Sequence, residues 1–391
     1  MINKVLFLIR EPFNRRDFER FGIKLLIKNG FEVEVWDLAS IVNPVPKYTP
    51  PDPIDWPYYQ VFDDKDQALS KIKNLSPDTF VVNLIGYSLK TCAIYKAISV
   101  SRTRYAVFVA NALPPAITKK EMFLHNLRKS NPKVMAKKLA NYCFLHIPFR
   151  WIGIKPASLI LAGGEQSLWF KCLYPVDKTS EVLWAHTLDY DLYLEEKDVP
   201  STERPIAVFL DEFLPFHPDI PLLEVPFSID ANKYYQLLNK FFGRVEQKLG
   251  LKVVIAAHPR SRYEKLADYF EGRECIRGKT IKLVKESRLV LAHSSTALNF
   301  ANLFHKPVIF LSFLDLDKSY MGPFIRTMAH WFGKTPIPMD GDVKIDWNRE
   351  LTVSAEHYNR YRQAYIKTER SEDLPFWQIV ANQLKNWYKR Y

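Results

Sequence analysis

Cysteine is scarce in this 391-residue chain, and its placement excludes two kinds of architecture. The four cysteines, Cys92, Cys143, Cys172 and Cys275, are far apart, and no two of them form a C-x-x-C pair. Their spacing matches neither a zinc-ligand pattern nor the disulfide framework of a small secreted domain. We therefore expect a reducing compartment, the cytoplasm.

Long apolar runs are also missing. The first run, Val5–Ile9, is short and a charged segment follows it, so it does not have the form of a secretory signal. No stretch reaches the roughly 18 apolar residues of a membrane-spanning helix. We expect any contact with a membrane to be peripheral.

Acidic residues are outnumbered by basic ones. The chain has 55 Lys and Arg against 43 Asp and Glu, which gives a net charge of +12. This balance favours anionic partners: nucleic acid, an anionic lipid surface, or small molecules that carry phosphate or carboxylate groups. Nucleic acid is the least favoured, because no zinc spacing or RNA-binding signature is present and the basic residues are spread over both halves of the chain.

What is present is a repeated alternation of strands and helices. The first segment predicts a strand, an amphipathic helix and a second strand, in "KVLFLI", "DFERFGIKLLIKNG" and "FEVEVWDL". This order is typical of a Rossmann-like parallel sheet, and "DTFVVNLIG", "RYAVFVAN" and "ASLILAGG" predict further strands. The loop after the first strand contains no G-x-G-x-x-G, which argues against a dinucleotide site.

A second alternation follows the polar segment 175–205, which we interpret as the crossover between the two domains. The strand "PIAVFLDE" opens it, and the next helix has Asp230 as its N-cap and Gly250 as its stop. "LKVVIAAHP", "SRLVLAHSS" and "KPVIFLSF" predict strands, whereas "SRYEKLADYF" and "TALNFANLFH" predict helices. The pattern indicates a second Rossmann-like unit.

The sequence therefore predicts an α/β protein with two Rossmann-like domains, 1–185 and 203–370, and a cleft between them. Ligands of open parallel sheets bind outside the carboxyl ends of the strands. Three strand ends of the second half carry polar clusters, in "FLDEFLPFHPD", "AAHPRSR" and "LAHSSTAL". If these strands are parallel, the three clusters face one rim of the sheet.

Ser294, Ser295 and Thr296 come just before the predicted helix "TALNFANLFH". Hydroxyl groups and free backbone N–H groups at the start of a helix form a site for an anion. The alternative interpretation is an ordinary N-cap made by one of these residues. The polar ends of the other two strands favour the anion site.

His258 and two carboxylates complete the candidate site. Pro259 favours an extended exit from the strand, so that His258 can donate to a phosphate oxygen and Arg260 can add a bidentate contact. Asp211 and Glu212 are candidates for a general base that takes a proton from an acceptor hydroxyl. The alternatives are a core histidine with a solvated arginine, and acids that close a loop.

These motifs, in this order, resemble those of bacterial sialyltransferases with the GT-B architecture. Those families share an Asp/Glu-Asp/Glu-Gly motif, a His-Pro motif and a Ser-Ser/Thr motif, to which "DEF" at 211–213, "HP" at 258–259 and "SST" at 294–296 are similar. Phe213 stands where the family has glycine. The resemblance covers residues 211–296.

The resemblance implies the GT-B fold, with a C-terminal helix at 371–391 that crosses back to the first, acceptor-side domain. It implies that His258, Ser294 and Ser295 bind the phosphate and cytidine of a CMP-sugar, and that the acidic residue is the base of an inverting transfer. The segment "SSTALNFANLFHKPVIFL" also resembles GT-B transferases of capsule and lipopolysaccharide that use Kdo, and glycerophosphate polymerases.

Two Asp-x-Asp tripeptides resemble the metal clamp of nucleotide-sugar enzymes. They are Asp189 with Asp191 and Asp315 with Asp317, and neither has neighbours that complete a ligand set for a divalent ion. We expect no essential metal and no other cofactor.

The basic segment 118–155 mixes lysines with Phe, Leu, Met and Trp. Two interpretations are open: surface helices whose apolar faces pack on the core, or an interfacial segment that docks on anionic lipid. The C-terminal "FWQIVANQLKNWYKRY" is a similar basic and aromatic helix.

Together these features predict a metal-independent, cytoplasmic glycosyltransferase, with peripheral contact to the inner face of the membrane. It would move a sialic-type, pseudaminic, legionaminic or Kdo sugar from its CMP donor to a surface glycan or lipid-linked acceptor. The alternatives are a UDP- or GDP-sugar transferase, an epimerase or a glycerophosphotransferase. A nucleic-acid-binding protein and a non-catalytic scaffold are alternatives of another class.

Overall fold

The computed structural model describes residues 2–43, 52–116, 132–217 and 229–387. The chain divides into two compact units. The first comprises Met1–Ala112, Ala136–Asp191 and Tyr365–Tyr391, and the second comprises Leu113–Met135 and Leu192–Ala364. The chain therefore enters the second unit, and its C-terminal segment returns to the first. Parts of the predicted segments 118–155 and 371–391, namely 118–131 and 388–391, lie outside the described residues.

The first unit contains a parallel sheet of seven strands in the order β3-β2-β1-β4-β5-β6-β7. Its central strands are buried on both faces, which suits their continuous apolar runs. The predicted Rossmann-like sheet is confirmed. The strands are β1 (Lys4–Ile9), β2 (Glu32–Asp37), β3 (Tyr59–Val61), β4 (Thr79–Asn83), β5 (Arg104–Phe108), β6 (Leu159–Ala162) and β7 (Glu181–Trp184).

The second unit contains a parallel sheet of six strands in the order β10-β9-β8-β11-β12-β13. The four predicted strands of this half are present, and β10 and β13 are short edge strands that the sequence analysis missed. The strands are β8 (Ile206–Leu210), β9 (Lys252–Ala257), β10 (Cys275–Arg277), β11 (Leu289–Ala292), β12 (Val308–Ser312) and β13 (Ile337–Pro338).

Helices connect the strands in both units. Within the described parts of the chain, none of them combines the length and the apolar character needed to cross a bilayer. The helices are α1 (Arg15–Arg20), α2 (Ile23–Lys28), α3 (Ala39–Val42), α4 (Lys65–Lys73), α5 (Cys92–Ser101), α6 (Pro132–Leu145), α7 (Leu188–Glu196), α8 (Ala231–Leu249), α9 (Thr280–Glu286), α10 (Leu298–Leu303), α11 (Leu314–Lys318), α12 (Met321–Trp331), α13 (Trp347–Leu351), α14 (Ala355–Tyr361) and α15 (Phe376–Asn386).

The first predicted helix is broken into α1 and α2 at Gly22. Gly22 has a left-handed backbone with φ of 55°, and a Cβ atom at this position would lie 2.6 Å from Cδ1 of Trp377. Trp377 on α15 packs here and donates from Nε1 to the carbonyl of Arg20 at 2.6 Å. The prediction of one continuous helix was wrong because a residue at the other end of the chain requires the break.

Helix α8 has the predicted ends. The side chain of Asp230 accepts from the backbone N–H of Lys233 at 2.7 Å, and Gly250 ends the helix with φ of 65°. One face of α8 packs into the core through Leu238, Phe242 and other apolar residues. Both signals act within a single turn, so local sequence was sufficient to predict them.

One other prediction was wrong. The segment "SRYEKLADYF" contains only a 3₁₀ turn at Tyr263–Lys265, because Tyr263 turns inward to bond a buried carboxylate instead of lying on a helix surface. The segment 175–205, predicted as the crossover between domains, contains the edge strand β7 and the helix α7. The chain passes from the first unit to the second within α7.

Candidate functional site

The carboxyl ends of β9, β8 and β11 lie side by side at the centre of the second sheet. The strand order reverses between β8 and β11, since β9 and β10 extend the sheet on one side and β11 to β13 on the other. Such a reversal is the point at which open α/β sheets bind ligands. The structure thus brings the three polar clusters of the sequence to one rim.

Asp211, which follows β8, is buried and accepts three hydrogen bonds. One carboxylate oxygen accepts from the backbone N–H of His258 at 3.0 Å, and the other accepts from Phe213 N–H and from the Tyr263 hydroxyl, each at 2.9 Å. Burial raises the pKa of this carboxyl to about 6, although the three donors oppose the shift. Asp211 therefore ties the end of β8 to the end of β9.

Glu212, the next residue, bonds to the strand on the other side. Its Oε1 accepts from the backbone N–H of Ser294 at 2.7 Å, and its Oε2 lies 3.4 Å from the Ser294 hydroxyl. Burial raises the pKa of the Glu212 carboxyl to about 7, against the effect of the Ser294 and Ser295 N–H groups. The N–H group that the sequence analysis assigned to an anionic ligand thus holds a carboxylate of the protein itself.

Phe213 completes the turn after β8 in the left-handed region, with φ of 53° and ψ of 33°. Its buried ring contacts Tyr263 at 5.1 Å and Phe216 at 5.5 Å between centroids. Glycine adopts this conformation at little cost, whereas other residues adopt it at a steric penalty. The motif of the resembled family has glycine at this position, and the backbone conformation here is one that glycine favours. In this chain the residue is phenylalanine.

His258 lies at the end of β9 and is half-buried. Its Nδ1 accepts from the backbone N–H of Arg260 at 3.2 Å, which assigns the proton of the neutral ring to Nε2. Its ring contacts that of His217 at 4.9 Å between centroids. Pro259 and Arg260 form the half-buried turn that follows. The imidazole therefore carries its N–H donor on Nε2, near the end of β9.

Ser294, Ser295 and Thr296 form a turn that precedes α10. Ser294 is buried against Glu212, the hydroxyl of Ser295 accepts from Ala297 N–H at 3.2 Å, and Thr296 is exposed. The helix begins at Leu298, two residues after the predicted start at Thr296. The bond from Ala297 N–H to the Ser295 hydroxyl is of the kind that an N-cap residue makes, as in the alternative interpretation. The hydroxyl groups thus lie in the turn and not on the helix.

His293, which the sequence grouped with these hydroxyl residues, belongs to the interior. Its Nδ1 lies 2.7 Å from the carbonyl of Leu311 and its Nε2 lies 3.0 Å from the Tyr234 hydroxyl. Burial lowers the pKa of this histidine to about 4, so the ring is neutral at pH 7. His293 connects β11 to β12 and is not at the rim.

Tyr263 is the site residue that the sequence analysis missed. Its hydroxyl bonds Asp211 and lies 2.9 Å from the hydroxyl of Tyr235. The segment "SRYEKLADYF" is predicted as a helix, and the two residues that bond the Tyr263 hydroxyl, Asp211 and Tyr235, are distant in sequence. A local pattern therefore could not reveal its role.

The two Asp-x-Asp tripeptides lie on helices, and their acids contact the protein. Asp315 pairs with Lys233 at 2.6 Å and Asp317 accepts from the Ser312 hydroxyl at 2.6 Å. Asp189 pairs with Arg20 at 2.5 Å, and Asp191 accepts from the backbone N–H of Phe376 at 2.8 Å. Among the residues that the structure describes, no group of three or more His, Cys, Asp or Glu side chains could hold a metal ion.

Neither a protein-family model nor a curated protein sequence matches the chain. Solved structures do match it over nearly its whole length. It is similar to the MnaA–UDP complex of S. aureus, with a TM-score of 0.51, 13% identity and coverage of 99% of this chain and 96% of that one. It is also similar to the wall teichoic acid polymerase TagF, with a TM-score of 0.52, 11% identity and coverage of 100% and 90%.

A third similar structure is a putative UDP-N-acetylglucosamine 2-epimerase of Listeria monocytogenes. The TM-score is 0.51 at 12% identity, and the match covers 100% of this chain and 97% of that one. Identities this low establish a shared fold alone. With its two parallel-sheet α/β domains, the chain has the GT-B fold.

Proposed function

We propose that the chain is a glycosyltransferase that moves an acidic, nonulosonic-type sugar from its CMP donor to a glycan or lipid-linked acceptor. The observation that supports this most strongly is the contact between Glu212 and Ser294, in which backbone N–H at the strand-order reversal holds an anion. A donor phosphate offers acceptor oxygens of the same kind. We assign the donor to the second unit and the acceptor to the first, with the reaction in the cytoplasm.

The donor contacts follow from the rim residues. The Nε2–H of His258 and the hydroxyl groups of Ser295 and Thr296 are donors for phosphate oxygens, and Arg260 is a candidate partner for the sugar carboxylate. The leaving CMP gains negative charge when the glycosidic bond breaks. Fixed N–H and O–H donors stabilise that charge, and we propose that they do so without an essential metal.

Of the two acids, we assign the general base to Glu212 and a positioning role to Asp211. Asp211 is buried, and its oxygens are bonded to three donors of the protein, so it sets the position of His258. Glu212 is partly exposed, and a pKa of about 7 suits a base that exchanges protons at neutral pH.

The same contact suggests an order of events. A donor phosphate that bonds to Ser294 N–H competes with the Glu212 carboxylate for that donor. Binding of the donor would then release Glu212 from Ser294, so that its carboxylate can accept a proton from the acceptor hydroxyl. Glu212 would therefore act as a base only after the donor has bound.

A second candidate is supported by the similar structures. The S. aureus neighbour is a complex with UDP, and TagF is a wall teichoic acid polymerase with a structure that contains CDPG. A UDP-sugar enzyme, which includes an epimerase, or a glycerophosphotransferase would use the same N–H and His258 contacts, since both kinds of donor carry phosphate.

Calorimetry with CMP, CDP, UDP and GDP tests the donor. We expect CMP to bind, and His258→Ala to weaken binding by at least about tenfold, the order of a lost hydrogen bond to a charged group. His330→Ala, on the exposed side of α12, is the matched control. Binding of UDP without CMP would overturn the CMP assignment in favour of the second candidate. Failure to bind any nucleotide, with no transfer from a CMP-sugar, would overturn the enzyme assignment.

A further inference from the structure

The first unit exposes an apolar surface around helix α6. It consists of Leu89, Leu139, Tyr142, Ile147 and Trp151, and we call it the α6 surface. The side chain of Trp151 is 83% exposed, Leu139 is 49% exposed, and the other three are exposed as well. Isolated exposed apolar residues are ordinary, whereas five on one helix, the turn bonded to it and the stretch after it that contains a 3₁₀ turn indicate a partner.

The residues of this surface are held together by contacts with the core. The amide oxygen of Asn141 on α6 accepts from the backbone N–H of Leu89 at 2.8 Å, which keeps the turn beside the helix. Phe144 is buried, and its ring contacts Tyr87 at 5.2 Å. The 3₁₀ turn Phe149–Ile152 follows, and it carries Trp151. The surface is therefore part of the folded unit.

Helix α6 has apolar residues on both its inner and its outer side. Phe144 and Leu145 pack against the core of the first unit. Leu139, Tyr142 and the exposed Cys143 lie on the opposite side of the helix, as the 100° step between residues requires. Packing on the core thus accounts for only one of the two apolar sides.

Basic side chains outnumber acidic ones around the α6 surface. The described stretch 134–164 contains four Lys and Arg and neither Asp nor Glu. Lys137, Lys155 and Lys96 are exposed, and Lys96 lies beside Gly153, which follows the 3₁₀ turn. Asp177 forms an ion pair with Arg150 of the same turn. The pKa of Asp177 is lowered to about 2 by the Thr179 hydroxyl and by Arg150, so one of the basic side chains is neutralised.

We propose that the α6 surface docks on an anionic phospholipid bilayer, with its apolar side chains at the level of the lipid headgroups. A tryptophan this exposed and exposed flanking lysines are the features of an interfacial segment. A helix of 14 residues is about 21 Å long, so it lies on a bilayer and does not cross it. The lipid surface would bring a lipid-linked acceptor to the first unit.

Flotation with vesicles tests this proposal without reference to catalysis. We expect the full chain to bind vesicles of equal phosphatidylglycerol and phosphatidylcholine at low salt, and to bind pure phosphatidylcholine much more weakly. Trp151→Ala should reduce binding by about tenfold or more, the loss expected when a large apolar side chain no longer leaves water. The double variant Lys137→Glu, Lys155→Glu should also bind these vesicles more weakly. Salt at 0.5 M should weaken binding of the unaltered chain, because the screening length is about threefold shorter than at 0.05 M.

Tyr58→Ala is the matched control, because Tyr58 is an exposed aromatic residue of the same unit beside the edge strand β3. Its vesicle binding should equal that of the unaltered chain, and equal melting temperatures exclude misfolding as the cause of any loss. The proposal is overturned if the unaltered chain does not bind phosphatidylglycerol vesicles, if it binds neutral vesicles equally well, or if Trp151→Ala binds normally. The unaltered chain could instead fail to bind vesicles and form a dimer that Trp151→Ala dissociates. That result would show that the α6 surface binds a second copy of the chain.

Discussion

The Oε1 atom of Glu212 accepts a 2.7 Å hydrogen bond from the backbone N–H of Ser294, across the point at which the strand order of the second sheet reverses. Asp211, one residue earlier, bonds the opposite strand end through His258 N–H. Two adjacent acids thus connect β8 to both of its neighbours. This arrangement makes the carboxylates part of the rim that would hold a donor phosphate.

Stability should depend on pH through Glu212. Its folded pKa of about 7 lies above the ordinary value of 4.5, so the folded state retains the proton over a range in which the unfolded state loses it. Stability therefore falls as pH rises from about 4.5 to 7. Glu212→Gln should remove this fall, so that the melting temperature at pH 8 exceeds that of the unaltered chain by about a few degrees. Melting curves from pH 6 to 8 measure it, since Asp211 contributes below about pH 6.

Glu264→Gln is the control for this experiment, because Glu264 is exposed and lies outside the carboxylate pair. Its melting temperature should follow that of the unaltered chain at every pH. A Glu212→Gln variant that retains the full pH dependence would show that the Glu212 carboxyl does not titrate near pH 7.

Affinity for CMP should also depend on the Glu212 proton. An ionised Glu212 competes for Ser294 N–H, so we expect CMP binding to weaken by up to about tenfold between pH 6.5 and 8.5. Glu212→Gln should bind CMP with little change over this range and should have a much lower transfer rate. Calorimetry at several pH values checks the affinities. Equal pH dependence in both chains would contradict the competition.

Substitutions of Asp211 and Tyr263 should have non-additive effects on the free energy of unfolding. Tyr263→Phe removes one hydrogen bond and should cost about 1 kcal/mol, whereas Asp211→Asn disturbs three and should cost more. In a double-mutant cycle followed by urea unfolding, we expect a coupling energy of about 1 kcal/mol. Asp211→Asn should also weaken CMP binding through His258, and Tyr263→Phe much less. Additive unfolding energies would indicate that the 2.9 Å contact is energetically negligible.

Substitutions of Phe213 should test the left-handed backbone conformation at this position. Phe213→Ala loses the packing of a buried ring and keeps the strained φ of 53°, whereas Phe213→Gly loses the ring and relieves the strain. Both should be less stable than the unaltered chain by about 2–4 kcal/mol, with glycine about 1 kcal/mol better than alanine. Urea unfolding measures the order. At most positions an alanine variant is more stable than a glycine variant. That order at position 213 would show that its backbone is not left-handed.

Gly22→Ala should be strongly destabilising, because the new Cβ meets Trp377 at 2.6 Å in addition to the unfavourable φ of 55°. Gly30→Ala is the control for φ alone, since Gly30 has φ of 91° and no atom near its Cβ position. We expect the control to cost about 1–2 kcal/mol and Gly22→Ala to cost at least about 2 kcal/mol more. Thermal unfolding checks this difference. Similar losses for both variants would mean that Trp377 moves aside easily.

The sequence by itself determined the strands that are buried along their whole length, the ends of α8, and the succession of polar residues after β8, β9 and β11. These features depend on neighbours a few residues apart: an apolar run, an Asp230 cap, a Gly250 stop. The α/β class and its parallel sheets follow from the alternation of such segments.

Only the tertiary structure decided what those polar residues contact. In the sequence, Asp211 and Glu212 are adjacent candidates for the same role. In the structure, Asp211 bonds the end of β9 and Glu212 bonds the residue after β11, because β8 lies between β9 and β11. The break at Gly22 depends on Trp377, and the inward turn of Tyr263 depends on Asp211. Each of these contacts joins residues that are far apart in the chain, and chain packing, which no local pattern records, brings them together.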